Sequence, residues 1–262
     1  MRKSFAVMTP AEKTAFVNAL RDFKTRSANG RTYNWYIDRH IEFFGPRNGI
    51  NYAHQAPSFL PWHREYLRQM EFDLQTVSGN PNVFLPYWDW TQAATPFTAD
   101  LLGAITNGSV NSGNFSPTWG WSMYRSSIAG SFLQRRVGVN ATRPTAQTVS
   151  TVQAQTTYDR SPWNNTVVNS YRNRNEIDVH NRVHNYVGGH MATVESPNDP
   201  VFWLHHCNVD RLWWQWQTNR GLDTYQPRTG TTNVIDNSET MLPFTVTPAA
   251  VRDINTLNYS YA

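Results

Sequence analysis

The chain has 262 residues and a formal net charge of +4, a length that allows one large core, made bulky here by 11 Trp, 12 Tyr and 13 Phe. Its arginines are scattered along the chain instead of forming a basic patch, which argues against nucleic-acid binding, and the lack of an 18-residue apolar run argues against a membrane span. Cys207 is the single cysteine, which excludes an intrachain disulfide and a thiolate-rich metal site.

Three helices are predicted in the first part of the chain. The sequence Thr-Pro-Ala-Glu at 9–12 combines an N-cap, a proline at the first helical position and a capping-box glutamate. Apolar residues spaced three and four apart then predict two further helices, each with a histidine on its apolar face, His40 in one and His63 in the other. The predicted helices run over about 10–26, over 33–44 and onward from Pro61.

The rest of the chain predicts long loops and two more helices. Residues 91–171 are rich in Gly, Ser, Thr, Asn and Pro, which is typical of surface loops with short helices. Helical spacing returns over about 175–187 and 203–219, and the tail after 221 looks irregular. We find no internal repeat or credible linker. The prediction is therefore a mainly α single domain, 1–262, built as a four-helix bundle with long irregular loops and a site between helices.

The eight histidines are unevenly distributed. They form an early group and a late group: His40, His54 and His63, then His180, His184, His190, His205 and His206. Residues 180 and 184 are four apart, so a helix places both rings on one face, although such a pair alone is weak evidence of a metal site. Two clusters of three neutral imidazoles suit Cu, Zn, Fe or Ni. The Glu-x-x-His motifs of di-iron bundles are absent, and a single three-histidine zinc site would leave one cluster without a purpose.

Four segments carry a family resemblance. They are HQAPSFLPWHREYL (54–67), LPYWDW (85–90), HNRVHNYVGGHMA (180–192) and SPNDPVFWLHHCNVDRLW (196–213). Together they closely resemble the copper-binding regions of bacterial tyrosinases, which are type-3 dicopper oxidases. The resemblance implies a dinuclear copper centre with two copper ions per chain and dioxygen as co-substrate. It assigns His40, His54 and His63 to the first copper, and His180, His184 and His206 to the second.

The resemblance also implies an activity and leaves rivals open. A tyrosinase hydroxylates small phenolic substrates to o-diphenols and oxidises o-diphenols to o-quinones, the precursors of melanin. A catechol oxidase or o-aminophenol oxidase shares all six ligands but lacks substantial hydroxylation of monophenols. A hemocyanin-like oxygen carrier is a more distant alternative. The chain shows no signal peptide of its own, so we expect a cytoplasmic start, or export with a partner protein that also delivers copper.

Three residues near the ligand motifs are expected to have other roles. His205 projects about 100° away from the neighbouring ligand around its helix, which predicts a buried, hydrogen-bonded histidine. His190 is expected to support the site or the fold, and Cys207 to be a small core residue. Fungal and plant relatives carry a cysteine two residues before the second ligand and form a thioether there. Tyr52 stands at that position, so His54 is expected to be unmodified and oriented by packing and hydrogen bonds.

The resemblance implies a water-holding pair that deprotonates the phenol. The family uses a glutamate upstream of the second-copper motif together with the asparagine after its first ligand, and the matching residues are Glu176 and Asn181. Glu176 stands only four residues before His180, about half the spacing of bacterial relatives. Alternatively, Glu176 is an ordinary acidic residue of the helix with no catalytic role.

Three more residues complete the predicted site. Asn185 and Val194 are expected to shape substrate entry, and their small, uncharged side chains predict an open pocket without a bulky gate. Asp210 follows the last ligand by one turn. It is expected to accept a hydrogen bond from a ligand ring or to pair with Arg211.

Overall fold

The computed structural model describes residues 1–104 and 107–262. Its α-helices are α1 (Pro10–Thr25), α2 (Tyr33–Phe44), α3 (Phe59–Ser78), α4 (Ala146–Gln153), α5 (Tyr171–Arg174), α6 (Asn181–Val187) and α7 (Val201–Arg220). A π-helical segment, Asn175–His180, joins α5 to α6 and makes one continuous helical run. The strands β1 (Asn107–Ser109) and β2 (Gln134–Arg136) form a small antiparallel pair.

The predicted helices are confirmed, with shifted ends. The Thr9 side chain accepts from the backbone N–H of Glu12, and the Glu12 carboxylate accepts from that of Thr9, so the capping box that starts α1 is present. Helix α3 starts at Phe59, two residues before Pro61, because a proline is tolerated in the first turn. The helix predicted from about 175 starts earlier, at Tyr171.

A helical bundle with an aromatic interior forms the core, as predicted. Helices α2, α3, α7 and the run from α5 to α6 surround the histidines, and α1 packs against α3. The rings of Trp62 and Tyr66 stack 5.0 Å apart between their centroids, and Trp203 packs on the other side of Tyr66 at 5.2 Å. In the described ranges, no helix is long and apolar enough to cross a membrane.

Asp210 lies in a buried charge cluster that the sequence did not predict. Its carboxylate accepts hydrogen bonds from Arg64 Nε (2.6 Å), Arg2 Nη1 (3.4 Å) and the hydroxyls of Tyr259 (2.7 Å) and Tyr261 (2.5 Å). Arg211 donates to Asn208 instead, and no histidine ring among the described residues bonds to the Asp210 carboxylate. Both predicted roles of Asp210 are therefore wrong. Asp210, on α7, bonds to Arg64 of α3 and to Arg2 and Tyr261 near the two ends of the chain. Arg2 and Tyr261 are also joined to each other by a backbone bridge.

Candidate metal centre and active site

The early histidines meet between two helices and a loop. His40 lies on α2, His63 on α3, and His54 on the segment that leads into α3. The three rings are buried, with centroids 5.0 to 6.0 Å apart. One nitrogen from each lies within 4.8 Å of the others, so together they can hold one metal ion.

The late histidines form a second cluster. His180 ends the π-helical segment, His184 lies on α6 and His206 on α7. Nε2 of His206 is 3.3 Å from Nε2 of His180 and 3.3 Å from Nε2 of His184. Nitrogens that share a metal at about 2.0 Å are roughly 3.3 Å apart at near-tetrahedral angles. The separation therefore fits a common metal ion.

Hydrogen bonds to backbone carbonyls fix the tautomers of three rings. Nδ1 of His40 donates to Val194 (2.7 Å), that of His63 to Phe59 (2.9 Å), and that of His184 to Met191 (2.6 Å). A carbonyl only accepts, so Nδ1 carries the proton and Nε2 keeps a free lone pair. Nε2 of His40 and of His63 has no hydrogen-bond partner among the described residues. Such outer hydrogen bonds are typical of metal-binding histidines.

Burial keeps these rings neutral. It lowers the pKa of His40 to about 3 and that of His184 to about 4, with the backbone hydrogen bonds opposing the shift. Burial also lowers the pKa of His54, His63, His180 and His206 well below the usual value for histidine. Neutral imidazoles with free lone pairs are the form in which histidine binds metals.

The two clusters are in direct contact. The rings of His63, from the early cluster, and His206, from the late one, stack with centroids 4.4 Å apart and planes 18° apart. Two ions bound by these clusters would therefore be neighbours. The arrangement is a dinuclear site and not two separate ones.

His205 is close to the late cluster but differs from its members. Its ring lies nearly parallel to that of His180, with centroids 5.2 Å apart, and is fully buried as predicted. Neither ring nitrogen has a hydrogen-bond partner in the part of the chain that the structure describes, so the predicted hydrogen bonds are not found. The position is close enough for His205 to count as a fourth member of the cluster.

His190 and Cys207 lie outside the site. Nδ1 of His190 accepts from the backbone N–H of Gln134 at 2.9 Å, which leaves Nε2 to donate to the hydroxyl of Ser126 at 2.9 Å. His190 thus ties β2 and the loop before it to the turn after α6. Cys207 is fully buried, and burial raises the pKa of its thiol.

Packing orients His54. Its Nδ1 has no hydrogen-bond partner within the described ranges. Its ring centroid lies 4.8 Å from that of Phe44 and 6.1 Å from that of Phe59. Of the two predicted causes of its orientation, packing is observed, whereas no hydrogen bond to Nδ1 is.

A pocket of about 320 Å³ opens onto both clusters. All four predicted pocket or catalytic residues line it: Glu176, Asn181, Asn185 and Val194. Phe44, Gln55 and Asn165 are among the further lining residues that were not predicted from the sequence. Phe44 is 41% exposed, so a bulky aromatic side chain does stand on one wall, contrary to the expectation.

Two of the missed residues had a readable signal. Phe44 follows His40 by one helical turn, and Gln55 directly follows His54, just as Asn181 directly follows His180. Residues next to a ligand therefore form the pocket wall on both sides. Asn165 had no such signal, because the long loop before α5 carries it to the site.

Glu176 is buried in the pocket wall. One carboxylate oxygen accepts from the backbone N–H of Gln55 at 2.7 Å, and the other pairs with Arg172 at 3.0 Å. Burial raises the pKa of Glu176, although Arg172 and the Gln55 N–H act in the opposite direction. Glu176 and His180 are four residues apart in one helical run, so both lie on the same side of it. The short spacing is thus compatible with a place in the pocket.

Asn181 orients a histidine ring. Its Oδ1 lies 2.8 Å from Nδ1 of His180. The amide oxygen therefore accepts a hydrogen bond from the ring N–H, and Nε2 keeps its lone pair. Asn181 and Glu176 line the same pocket.

Gly189 allows β2 to approach the turn that orients His184. Gly189 has a φ of +55°, and an added Cβ would lie 2.0 Å from the carbonyl oxygen of Gln134. We expect Gly189→Ala to lower the free energy of unfolding by about 1–3 kcal/mol more than a control. The control is Gly49→Ala, because Gly49 has a φ of +80° but open space around it. Urea unfolding measures both variants, and equal losses would contradict the packing argument.

Two adjoining, buried histidine clusters in a helical bundle define a dinuclear metalloprotein of the type-3 copper class. The chain matches the family described as the common central domain of tyrosinase over residues 30–219, and it belongs to that family. It is similar to tyrosinase of Streptomyces antibioticus, with 40% identity over 100% of this chain and 98% of the relative. Grixazone synthase of Streptomyces griseus is 32% identical, with the same two coverages.

A solved structure shares the fold. A functional unit of Octopus hemocyanin matches with a TM-score of 0.65 and 24% identity, over 100% of this chain and 67% of that one. Membership of this family identifies the chain as a copper-dependent oxidoreductase with a dinuclear copper centre. A bound copper pair would supply the redox chemistry that couples dioxygen to substrate oxidation. The neutral imidazoles and the unpartnered Nε2 atoms fit this cofactor.

Proposed function

We propose that this chain hydroxylates monophenols to o-diphenols in addition to oxidising o-diphenols to o-quinones. The proposed ligands are those the sequence indicated: His40, His54 and His63 for the first copper, and His180, His184 and His206 for the second. The observation that supports hydroxylation is the buried carboxylate of Glu176 in the pocket wall. An export or copper-delivery partner and the cytoplasmic start stay predictions.

Hydroxylation needs a proton acceptor. A phenol has a pKa near 10, so the reactive anion is scarce at neutral pH unless a base takes the proton. The Glu176 carboxylate is this base, acting directly or through a water molecule shared with Asn181. Burial raises the pKa of Glu176 and so increases its affinity for the phenol proton. The Gln55 N–H keeps the carboxylate in place during the transfer.

The second candidate is an o-diphenol or o-aminophenol oxidase without substantial hydroxylation. One observation favours it: both oxygens of Glu176 already have partners, and Arg172 stabilises the ionised form. A carboxylate held in this way is a weaker base. The two candidates share the metal centre and differ in whether a monophenol is deprotonated and then hydroxylated.

The substitution Glu176→Gln separates the two candidates. It keeps the size of the side chain but removes the base, so we expect oxidation of a monophenol to fall on the order of a hundredfold. Oxidation of an o-diphenol, which has no hydroxylation step, should fall much less. Oxygen uptake by the copper-loaded protein with tyrosine and with catechol measures both rates.

Asp178→Asn is the matched control. Asp178 lies on the same π-helical segment and pairs with Arg174 four residues earlier, as Glu176 pairs with Arg172, but it is partly exposed. We expect this variant to keep both activities. Equal losses of the two activities in Glu176→Gln would rule out Glu176 as the base, and a wild-type protein inactive on monophenols would favour the second candidate.

A further inference from the structure

A second cavity of about 190 Å³ adjoins the pocket over the histidines. Gln55 lines both cavities, and the successive residues Asn164 and Asn165 line one each. Gln55 is exposed, so it forms a rim that the two cavities share at the surface. A substrate that extends across Gln55 from the first pocket therefore reaches the second cavity.

The lining of this second cavity is polar but uncharged among the described residues. It offers amide groups from Asn51, Gln55, Asn164 and Asn233 and the indole of the half-buried Trp163. Amides donate and accept hydrogen bonds without a net charge, and an indole offers a flat face for stacking. A charged group would find no lining residue of opposite charge here among the described residues. The lining therefore favours an uncharged ring with hydroxyl or carbonyl groups.

The size of the cavity agrees with one ring. An apolar cavity of about 150 Å³ is known to hold benzene, and the volume here is about 190 Å³. We infer that the second cavity is a substrate subsite, which binds the distal, uncharged ring of a two-ring phenol while the first ring is oxidised. The inference rests on the proposed phenol oxidation and narrows its substrate class.

Hydrogen bonds hold Asn164 and Asn165, which line the two cavities next to each other, in place before substrate binds. Arg172 donates from Nη1 to Oδ1 of Asn165 at 2.7 Å and from Nη2 to the carbonyl of Asn164 at 2.9 Å. Arg172 is itself fully buried between Asp159 and Glu176. The backbone N–H of Trp163 donates to the carbonyl of Arg160 at 2.8 Å. A preformed subsite gains affinity because little ordering is needed on binding.

Two catechols test the subsite without involving hydroxylation. One is 4-methylcatechol, and the other carries a 2-(4-hydroxyphenyl)ethyl group at the same position. For the copper-loaded wild type, we expect a lower KM for the two-ring catechol. Trp163→Ala should raise the KM of the two-ring catechol, divided by that of 4-methylcatechol, about fivefold, which is the size expected from a lost stacking contact. Trp163→Phe keeps an aromatic face and should restore most of the ratio.

Trp119→Ala is the control, since Trp119 is 54% exposed and lines neither cavity. It should leave the ratio unchanged. An equal KM for both catechols in the wild type, or an unchanged ratio in Trp163→Ala, would contradict the proposed subsite but not the proposed oxidation of phenols. Failure to oxidise either catechol overturns the proposed activity and the subsite with it.

Discussion

Replacing His206 by glutamine is expected to remove one copper ion per chain and nearly all o-diphenol oxidation. Nε2 of His206 is the atom that approaches both His180 and His184 at 3.3 Å, so its loss leaves two ligands for the second ion. A metal site contributes about 10–16 kcal/mol, and one of three ligands about a third of that, which lowers copper affinity by roughly two to four orders of magnitude. Metal analysis after dialysis and oxygen uptake with catechol measure the two effects.

His205, which directly precedes His206, provides the matched control. His205 is equally buried and belongs to the same group of four histidines, but its nitrogens have no hydrogen-bond partner among the described residues. We expect His205→Gln to retain two copper ions per chain and to lose at most tenfold in activity through a changed packing against His180. Loss of one copper ion in His205→Gln, with retention in His206→Gln, would reverse the ligand assignment.

Local signals explain why much of the fold was predictable. The capping box before α1, the glycine and proline after α2 and the helical spacing of apolar residues all act within a few positions. The pairing of His180 with His184 is local for the same reason. Joining the early and late clusters into one centre depended on the family resemblance, because periodicity does not show which helices are neighbours.

Contacts across the chain explain what was missed. Arg2 lies 208 positions from Asp210, and Asn165 reaches the pocket on a loop with no periodic pattern. The π-helical segment at 175–180 was also missed, since its apolar spacing resembles that of an α-helix over one turn. Glu176 stands four residues before His180, and this helical spacing places both on the side of the pocket. Of the missed wall residues, Phe44 lies on α2, whereas Gln55 and Asn165 lie outside the helices.

The second large effect is expected at Asp210, whose charge holds two buried arginines. Arg2 and Arg64 are fully buried, and their guanidinium groups stand over Tyr259 and Trp213, each 3.7 Å from the ring centroid. Asp210→Asn keeps the shape but leaves Arg64 without a carboxylate partner among the described residues, whereas Arg2 keeps Glu71 at 2.9 Å. Breaking a buried ion pair in this way costs about 3–5 kcal/mol of unfolding free energy. Urea unfolding at neutral pH measures the loss.

The pH dependence distinguishes a lost charge from a lost shape. Burial acts to raise the pKa of Asp210, but Arg64 and Arg2 hold it below the usual value for aspartate. A carboxyl whose pKa is lower in the folded than in the unfolded protein stabilises the fold above its unfolded pKa and loses this contribution as pH falls through the folded one. The difference between wild type and Asp210→Asn should therefore be largest at neutral pH and shrink in acid.

Asp223→Asn serves as the control, because Asp223 pairs with Arg228 and Arg252 at the surface, 61% exposed, where an ion pair contributes at most about 1 kcal/mol. A loss at Asp210 no larger than at Asp223, or one that does not change with pH, would mean that its charge does not hold α3 and α7 together.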